Sequence, residues 1–480
     1  MNSVNSFSTT DNNIRNPLSF SSKEDFENLE RISNRNVKDI LDENNSNILM
    51  FPQDWKMGVK KSYGETLPVC SLYQKSENSY ELKTGNIMGY VGVTNKNGYS
   101  TQLTINSRFE NGDNDFFLNY MLAKVCNLNV VNLKSSTGEN DYHNLLIYLF
   151  PRMLNDALSQ GLYKQYQLKK YNDANVKGPL DVTRHIRFNI PFAGKIAYNA
   201  HEYSYDNNVT QLIRHTIECI RCKESGSYIL NSSDETKQNV AKIMQATSSY
   251  KKFDLQKVLQ KNQKQISHPY FTKYRTLQIL CKMILQNKFT SFGESKNKIY
   301  GILFDGAWLW EEYIATVLKE NNSLIEHKTS RDKLFVHDDE KRNQGIIPDF
   351  IRYVDKPHTA SFIGDTKYQH IDSKGSYNRE NYFQIITYMY RYSCKTGYLI
   401  FPYDKADKTD KANEKVLNDK TNFIDEVDRK IIDGIPREIA TEKHDSKIIE
   451  LGLQIPQQEK TFSDFANAIE ASEKLLLAFL

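Results

Sequence analysis

Ile347-Pro348-Asp349-Phe350-Ile351 and, further on, Phe362-Ile363-Gly364-Asp365-Thr366-Lys367-Tyr368 are the most informative segments of this sequence. Each is a short apolar run broken by a charged residue, and each predicts a β-strand: Ile346 to Tyr353 and Ala360 to Tyr368. A buried strand has no structural use for two carboxylates and a lysine, because uncompensated charge in an apolar setting is costly. Convergence on a divalent metal accounts for them. Hard oxygen ligands hold Mg²⁺ in octahedral geometry and leave positions for water and phosphate. Asp365 and Lys367 lie two apart, so on a strand they project from one face. Asp349 stands 16 positions before Asp365, room for a hairpin that sets the two side by side.

The flanks extend the pattern. Ala307-Trp308-Leu309-Trp310-Glu311-Glu312-Tyr313-Ile314 reads as an apolar helix interrupted by acids, within a helix predicted over 302–320. Downstream, a helix predicted over 382–392 carries Gln384-Ile385-Ile386-Thr387-Tyr388, with Gln384 and Tyr388 four apart on one face. A strand from Thr396 to Phe401 follows. This order of helix, strand, strand, helix, strand around Pro-Asp and Asp-x-Lys resembles the PD-(D/E)xK nuclease fold. Gln384-xxx-Tyr388 resembles the Gln-xxx-Tyr element of its RecB-like branch. The resemblance implies metal-assisted phosphodiester hydrolysis. Asp349 and Asp365 would hold one or two Mg²⁺ ions that polarise the phosphate and acidify a bound water. Lys367 would orient the water or stabilise charge on phosphorus. Gln384 and Tyr388 would position the backbone or the lysine. Glu311 would complete the metal shell, with Glu312 as its rival, since one helix position separates them and only one can face the site. The bland alternative is a set of surface carboxylates at hairpin ends.

Composition sets the frame for this core. The chain has 480 residues, enough for two or three domains, and is 39% hydrophobic and 25% charged, with 29 Tyr and 24 Phe to fill a core. No run approaches the roughly 18 apolar residues of a membrane span. Met1 to Thr10 lacks a basic, apolar secretory leader, and six scattered Cys suit a reducing cytoplasm. The net charge of +4 conceals polarity. Residues 1–50 carry five basic and eight acidic side chains, residues 151–200 eight and three, and residues 251–300 eleven and two. Clustered Lys and Arg attract phosphate backbones, although solvated helix faces look the same on charge alone.

The expected organisation is α+β and multidomain. Residues 1–48 read as a loosely ordered tail with one helix capped at Ser21-Ser22. Residues 49–160 read as a mixed β/α domain for coupling to a partner, with β-runs over 67–107 and a hairpin at Asn97-Gly98. Residues 161–295 read as a basic, mainly helical connecting region, with helices at 207–223, 235–247, 252–262 and 270–289. Residues 296–480 read as the nuclease domain, with a mobile segment at 403–422, a strand at 448–451 and a terminal helix over 462–480.

With the core placed, other segments become informative. Lys177-Gly178-Pro179-Leu180-Asp181-Val182-Thr183-Arg184-His185-Ile186 and Glu202-Tyr203-Ser204-Tyr205-Asp206-Asn207-Asn208 resemble the McrC family. So do Phe304-Asp305-Gly306-Ala307 through Glu311, and Gly452-Leu453-Gln454-Ile455-Pro456. The members of that family are the nuclease subunits of McrBC-type and LlaJI-type restriction systems, and Ile105-Asn106-Ser107-Arg108-Phe109 leans toward the latter. The resemblance runs from about residue 85 to the C-terminus. It implies a McrB-like AAA+ GTPase as partner, double-stranded DNA as substrate, and stimulation of the partner's GTP hydrolysis. No G-x-x-x-x-G-K-[ST] occurs, so GTP is expected only through the partner.

Two other readings stay open. One is a stand-alone PD-(D/E)xK restriction endonuclease; the other is a non-catalytic activator or adaptor of a AAA+ complex. Asp181-x-x-Arg184 reads equally as a DNA or partner contact and as an ion pair at a capped turn. Cys219-Ile220-Arg221-Cys222 with His215 has too few ligands for zinc and suits an amphipathic helix.

Overall fold

The computed structural model describes residues 4–13, 16–20, 22–41, 46–52, 68–76, 79–109, 115–126, 128, 141–223, 225–287, 298–321, 324–328, 332–333, 345–356, 358–370, 379–404, 437–440 and 446–480. Most of the segment expected to be mobile at 403–422 lies outside them. The fold is mixed α/β, as the sequence implied. It divides into two compact units, Met1–Asp141 with Gly293–Leu480, and Tyr142–Phe292.

The chain opens with β1 (Val4–Thr10), β2 (Asn16–Leu18), α1 (Lys23–Glu30), α2 (Val37–Leu41) and β3 (Ser46–Phe51). Then come β4 (Cys70–Ser76), β5 (Ser79–Thr84), β6 (Ile87–Thr94), β7 (Ser100–Asn106) and α3 (Phe116–Val125). The first residues differ from the expected loose tail. β1 runs parallel to β7 over its whole length, and Leu29 and Ile32 are fully buried in the same core as Val91 and Leu103. The low apolar content hid this, because an edge strand such as Val4–Thr10 needs few large side chains. Ser22 caps α1 by accepting a bond from the Asp25 amide at 3.2 Å. Gly98, at φ +87, turns β6 into β7, as Asn97-Gly98 predicted.

The second unit holds α4 (Asp141–Leu158), β8 (Gln165–Asp173), α5 (Val182–Asn189), β9 (Ile196–Ser204), α6 (Asn208–Arg221), α7 (Gly226–Leu230), α8 (Asp234–Ala246), α9 (Leu255–Lys261) and α10 (Thr272–Asn287). α6, α8, α9 and α10 match the expected helices within a few residues, whereas the short helices α5 and α7 were not expected. The antiparallel β8–β9 hairpin was not expected in a mainly helical region. Its strands are largely polar, so period-two alternation was weak; Tyr171 and Tyr198, directly opposite, stack at 5.5 Å.

The first unit then resumes with β10 (Lys298–Asp305), α11 (Gly306–Asn321), β11 (Glu326–His327), β12 (Asp332–Lys333), β13 (Gly345–Ile346), β14 (Phe350–Asp355), β15 (Thr359–Thr366), α12 (Arg379–Arg391), β16 (Thr396–Tyr403), β17 (Arg437–Ala440), β18 (Lys447–Gln454) and a last helix, Phe462–Ala478. β10 corrects two expectations. Residues 302–305, read as the start of a helix, are strand, and this strand lies between β6 and β3 in the sheet β1-β7-β6-β10-β3. The segment expected to open a separate nuclease domain is thus part of the N-terminal sheet. Ile299, Ile302, Leu303 and Phe304 are fully buried, and a strand covered on both faces cannot be told from a buried helix by periodicity.

The second sheet, β11-β14-β15-β16-β18-β17, carries the charged strands. α12 packs on it through Ile385 and Met389, against Ile351, Ile363 and Leu399. Gly397 permits this approach: a Cβ there would stand 2.6 Å from Met389 Sδ and 2.7 Å from Ile385 Cγ1. Among the described residues no helix is long and apolar enough to cross a membrane.

Candidate active site

β14 and β15 pair antiparallel, with Ile351 opposite Ile363 and Phe350 opposite Gly364. Asp349 stands just before β14 and Asp365 just after Gly364, so the two carboxyls come within electrostatic reach of each other. Thr366 ties them together: its amide and its hydroxyl both donate to Asp349 Oδ2 at 2.8 Å. Asp365 is 1% exposed, and Lys367 Nζ lies 2.5 Å from its Oδ2. The Lys367 amide donates to Ile400 O at 2.9 Å, which fixes the end of β15 against β16.

α12 supplies the remaining predicted residues. Lys367 Nζ donates to Gln384 Oε1 at 2.9 Å, and Gln384 Nε2 donates to Tyr388 Oη at 2.8 Å. Asp365, Lys367, Gln384 and Tyr388 therefore form one continuous polar chain from strand to helix. Burial pushes the Tyr388 hydroxyl far above its ordinary value, so it stays a neutral hydrogen-bonding group.

Glu311 reaches the site from α11, which starts where Asp305 accepts bonds from the amides of Ala307 (2.9 Å) and Trp308 (3.2 Å). Glu311 is buried. Its charge acts on both Asp349 and Asp365, whereas Glu312 is half-buried and acts on neither to a comparable degree. Two residues that the sequence did not mark hold Glu311. His327 Nε2 lies 2.7 Å from Glu311 Oε1, and Lys328 Nζ lies 2.6 Å from it. Lys328 adopts φ +49 and donates its amide to Asp349 O at 3.2 Å. The only signal at these positions was their place between α11 and β14. Asp305 could have been found as an acid directly before a helix start.

The electrostatics form a frustrated cluster. Burial raises the Asp349 carboxyl well above the usual range, and the charges of Asp365 and Glu311 raise it further, against the Thr366 bonds. Burial also raises Asp365, opposed chiefly by Lys367. Burial acts upward on Glu311 too, but the bonds from His327 and Lys328 outweigh it and hold this carboxyl below its ordinary value. Burial lowers Lys328, yet Glu311 and Asp349 more than offset it and keep the ammonium charged.

The donor chemistry fits a hard divalent cation. Asp349 and Asp365 offer only oxygens, and like charges brought this close are relieved by a cation. Among the described residues no three His, Cys, Asp or Glu side chains form a ready ligand cluster, so Glu311 does not join the two aspartates as a ready third ligand. The same holds for His215 and Cys219, which are buried in α6 while Cys222 is exposed. Asp181 caps α5 by accepting from the Arg184 amide at 3.1 Å, and its carboxylate lies 3.5 Å from the Arg184 guanidinium, the capped ion pair that the sequence allowed.

Comparison with known structures finds distant likenesses, among them two assemblies from Thermococcus gammatolerans. One is a refined half-complex from a tetradecameric assembly of McrB AAA+ hexamers with bound McrC. It is 13% identical, with a TM-score of 0.45 over 97% of this chain and 99% of that one. The other is a cryo-EM structure of the McrBC complex, 16% identical, with a TM-score of 0.30 over 66% of this chain and 88% of that one. Comparison with curated proteins returns no match. The family model described as McrBC 5-methylcytosine restriction system component matches residues 82–402, about two thirds of the sequence and all the site residues assembled above. The chain belongs to the McrBC 5-methylcytosine restriction system component family.

Proposed function

We propose that this McrBC-family chain is the DNA-cleaving subunit of a GTP-dependent restriction system of McrBC or LlaJI type. It works with a separate McrB-like AAA+ GTPase and stimulates that partner's GTP hydrolysis. The observation that carries the nuclease reading is the Asp349–Asp365 pair joined through Lys367 to Gln384 and Tyr388. Asp349 and Asp365 would hold one or two Mg²⁺ ions, with Glu311 completing the metal shell, and the chemistry supplied would be charge neutralisation at the phosphate and acidification of a bound water.

This chain's residues do the positioning. Lys367 Nζ donates to Gln384 Oε1 and lies in ion-pair contact with Asp365 Oδ2, which leaves donor capacity for a phosphate oxygen or the attacking water. Gln384 is itself oriented by Tyr388, so the ammonium is held from two elements and needs little reorganisation. Thr366 fixes the Asp349 carboxylate through one oxygen. The test is Asp365→Ala in a complex reconstituted with the partner GTPase and target DNA. The expected result is loss of cleavage while GTP hydrolysis stays stimulated. Surviving cleavage overturns the role of Asp365, and efficient wild-type cleavage without GTP or partner overturns the two-subunit reading.

A further inference from the structure

The charge polarity of the sequence maps onto the two units. Residues 142–292 carry 22 basic and 10 acidic side chains, a net +12, whereas the remainder of the chain carries 41 and 49, a net −8. The unit that holds the proposed catalytic groups is therefore acidic overall. Its own field repels a polyanion, and attraction must come from elsewhere.

Within the basic unit one surface concentrates the charge. A single turn of 3₁₀ helix, Lys252–Asp254, leads directly into α9. Val258 and Asn262 face inward: Val258 is buried, and Asn262 Nδ2 donates to Asn208 O at 2.9 Å. Exposed on this segment are Phe253 in the 3₁₀ turn, Lys257 and Lys261 one turn apart on α9, Lys251 and Lys252 at its start, and Lys264 three residues past its end. All of these are exposed, and Phe253 is 97% exposed. Among the described residues none of the five lysines pairs with a carboxylate. The one acid between 251 and 275, Asp254, lies within electrostatic reach of the buried His215. Unpaired ammonium groups make a surface that duplex phosphates neutralise, and the exposed aromatic ring beside them can pack against the sugar edges of the backbone.

We infer that the stripe Lys251, Lys252, Phe253, Lys257, Lys261 and Lys264 is a sequence-independent DNA-binding surface that supplies the affinity the acidic catalytic unit lacks. It rests on the DNA reading above, and binding and cleavage are measured separately so that each can fail alone. The probe is a short fluorescent DNA duplex, titrated with the full-length chain in EDTA between about 50 and 200 mM salt. The comparison set is wild type, Lys251→Gln/Lys257→Gln/Lys261→Gln/Lys264→Gln, and a control with Lys237→Gln and Lys242→Gln on α8. The quadruple variant should lose about 0.9 of salt slope per lysine, close to 3.6 in all, while the control keeps most of the wild-type slope. Phe253→Ala removes an uncharged contact with the backbone and should weaken binding at an unchanged slope. Cleavage by Asp365→Ala is read separately from binding, so lost cleavage in that variant leaves this surface untouched. An unchanged slope in the quadruple variant overturns the proposal. So does unchanged DNA binding accompanied by loss of assembly with the partner protein, which would make the stripe a protein contact.

Discussion

Arg108 and Asp11 form a buried ion pair beneath the end of β15, and removing the arginine tests how that end is held. Arg108 Nη2 lies 2.5 Å and Nε 3.0 Å from Asp11 Oδ2, and the Arg108 amide donates to Oδ1 at 2.6 Å. The Asp11 side chain is 0% exposed and that of Arg108 9% exposed. The guanidinium also sits 4.8 Å from the ring centre of Tyr368, the residue after Lys367. Arg108→Met strands a carboxylate in an apolar site, which costs about 3–5 kcal/mol. Loss of the cation–π contact adds about 1 kcal/mol. Denaturant unfolding should therefore show a loss of about 4–6 kcal/mol. Fluorescence of the fully buried Trp310, whose indole N–H donates to Ile400 O in the same unit, reports the transition. Asp11→Asn/Arg108→Met, which removes both charges, should be more stable than Arg108→Met alone. The pH dependence has a defined sign. Burial raises the folded-state Asp11 above its ordinary value even against Arg108, so the folded state binds the proton more tightly than the unfolded chain. The Asp11 contribution is then most favourable at low pH and falls as pH rises from the unfolded value toward the folded one. Without Arg108 that window extends upward, so the deficit of the variant is smaller near pH 5 than near pH 8. A loss below about 1 kcal/mol, or a deficit that does not change with pH, refutes the account of a desolvated ion pair.

Other outcomes follow from the same geometry. Gln384→Ala removes a charge-assisted bond of about 1.5–3 kcal/mol from Lys367, so single-turnover cleavage should slow about 10–100-fold with folding intact; an unchanged rate would remove Gln384 from the mechanism. Gly397→Ala pushes a methyl group into Met389 and Ile385, which should cost about 1–3 kcal/mol in unfolding experiments and slow cleavage by shifting the neighbouring Gln384. An unaltered melting curve would show that α12 has slack there. Mg²⁺ or Ca²⁺ should stabilise the wild type by about 2.7 kcal/mol at a hundredfold excess over Kd, with EDTA reversing the gain. Asp349→Asn/Asp365→Asn should show no such gain, and a wild-type melt indifferent to divalent cations would argue against a metal at this pair.

Much of the candidate site was legible in the sequence because its logic is local. Asp365 and Lys367 share a strand face by the period of two. Gln384 and Tyr388 share a helix face by the spacing of four. The 16-residue interval to Asp349 is a hairpin, observed as β14 and β15 with Phe350 opposite Gly364. Local signals failed where burial or polarity blurred the period. β10, covered on both faces, passed for helix, and the polar strands β8 and β9 did not register as strand at all.

Contacts made across long stretches of chain carried no signal. Asp11 meets Arg108 across 97 residues, and Ser107 meets Tyr368 at 2.8 Å across 261. His327 and Lys328 occupy a connection of no distinctive composition, yet they are the groups that engage Glu311, and that engagement separates it from Glu312. Residue types and spacing alone set out Asp349, Asp365, Lys367, Gln384 and Tyr388 in their order and on their faces, because side-chain direction along a strand or helix follows from the backbone period. Which acid of α11 turns inward, which cations balance the carboxylates, and how the N-terminal sheet braces Tyr368 depend on packing between elements that no period along the chain connects.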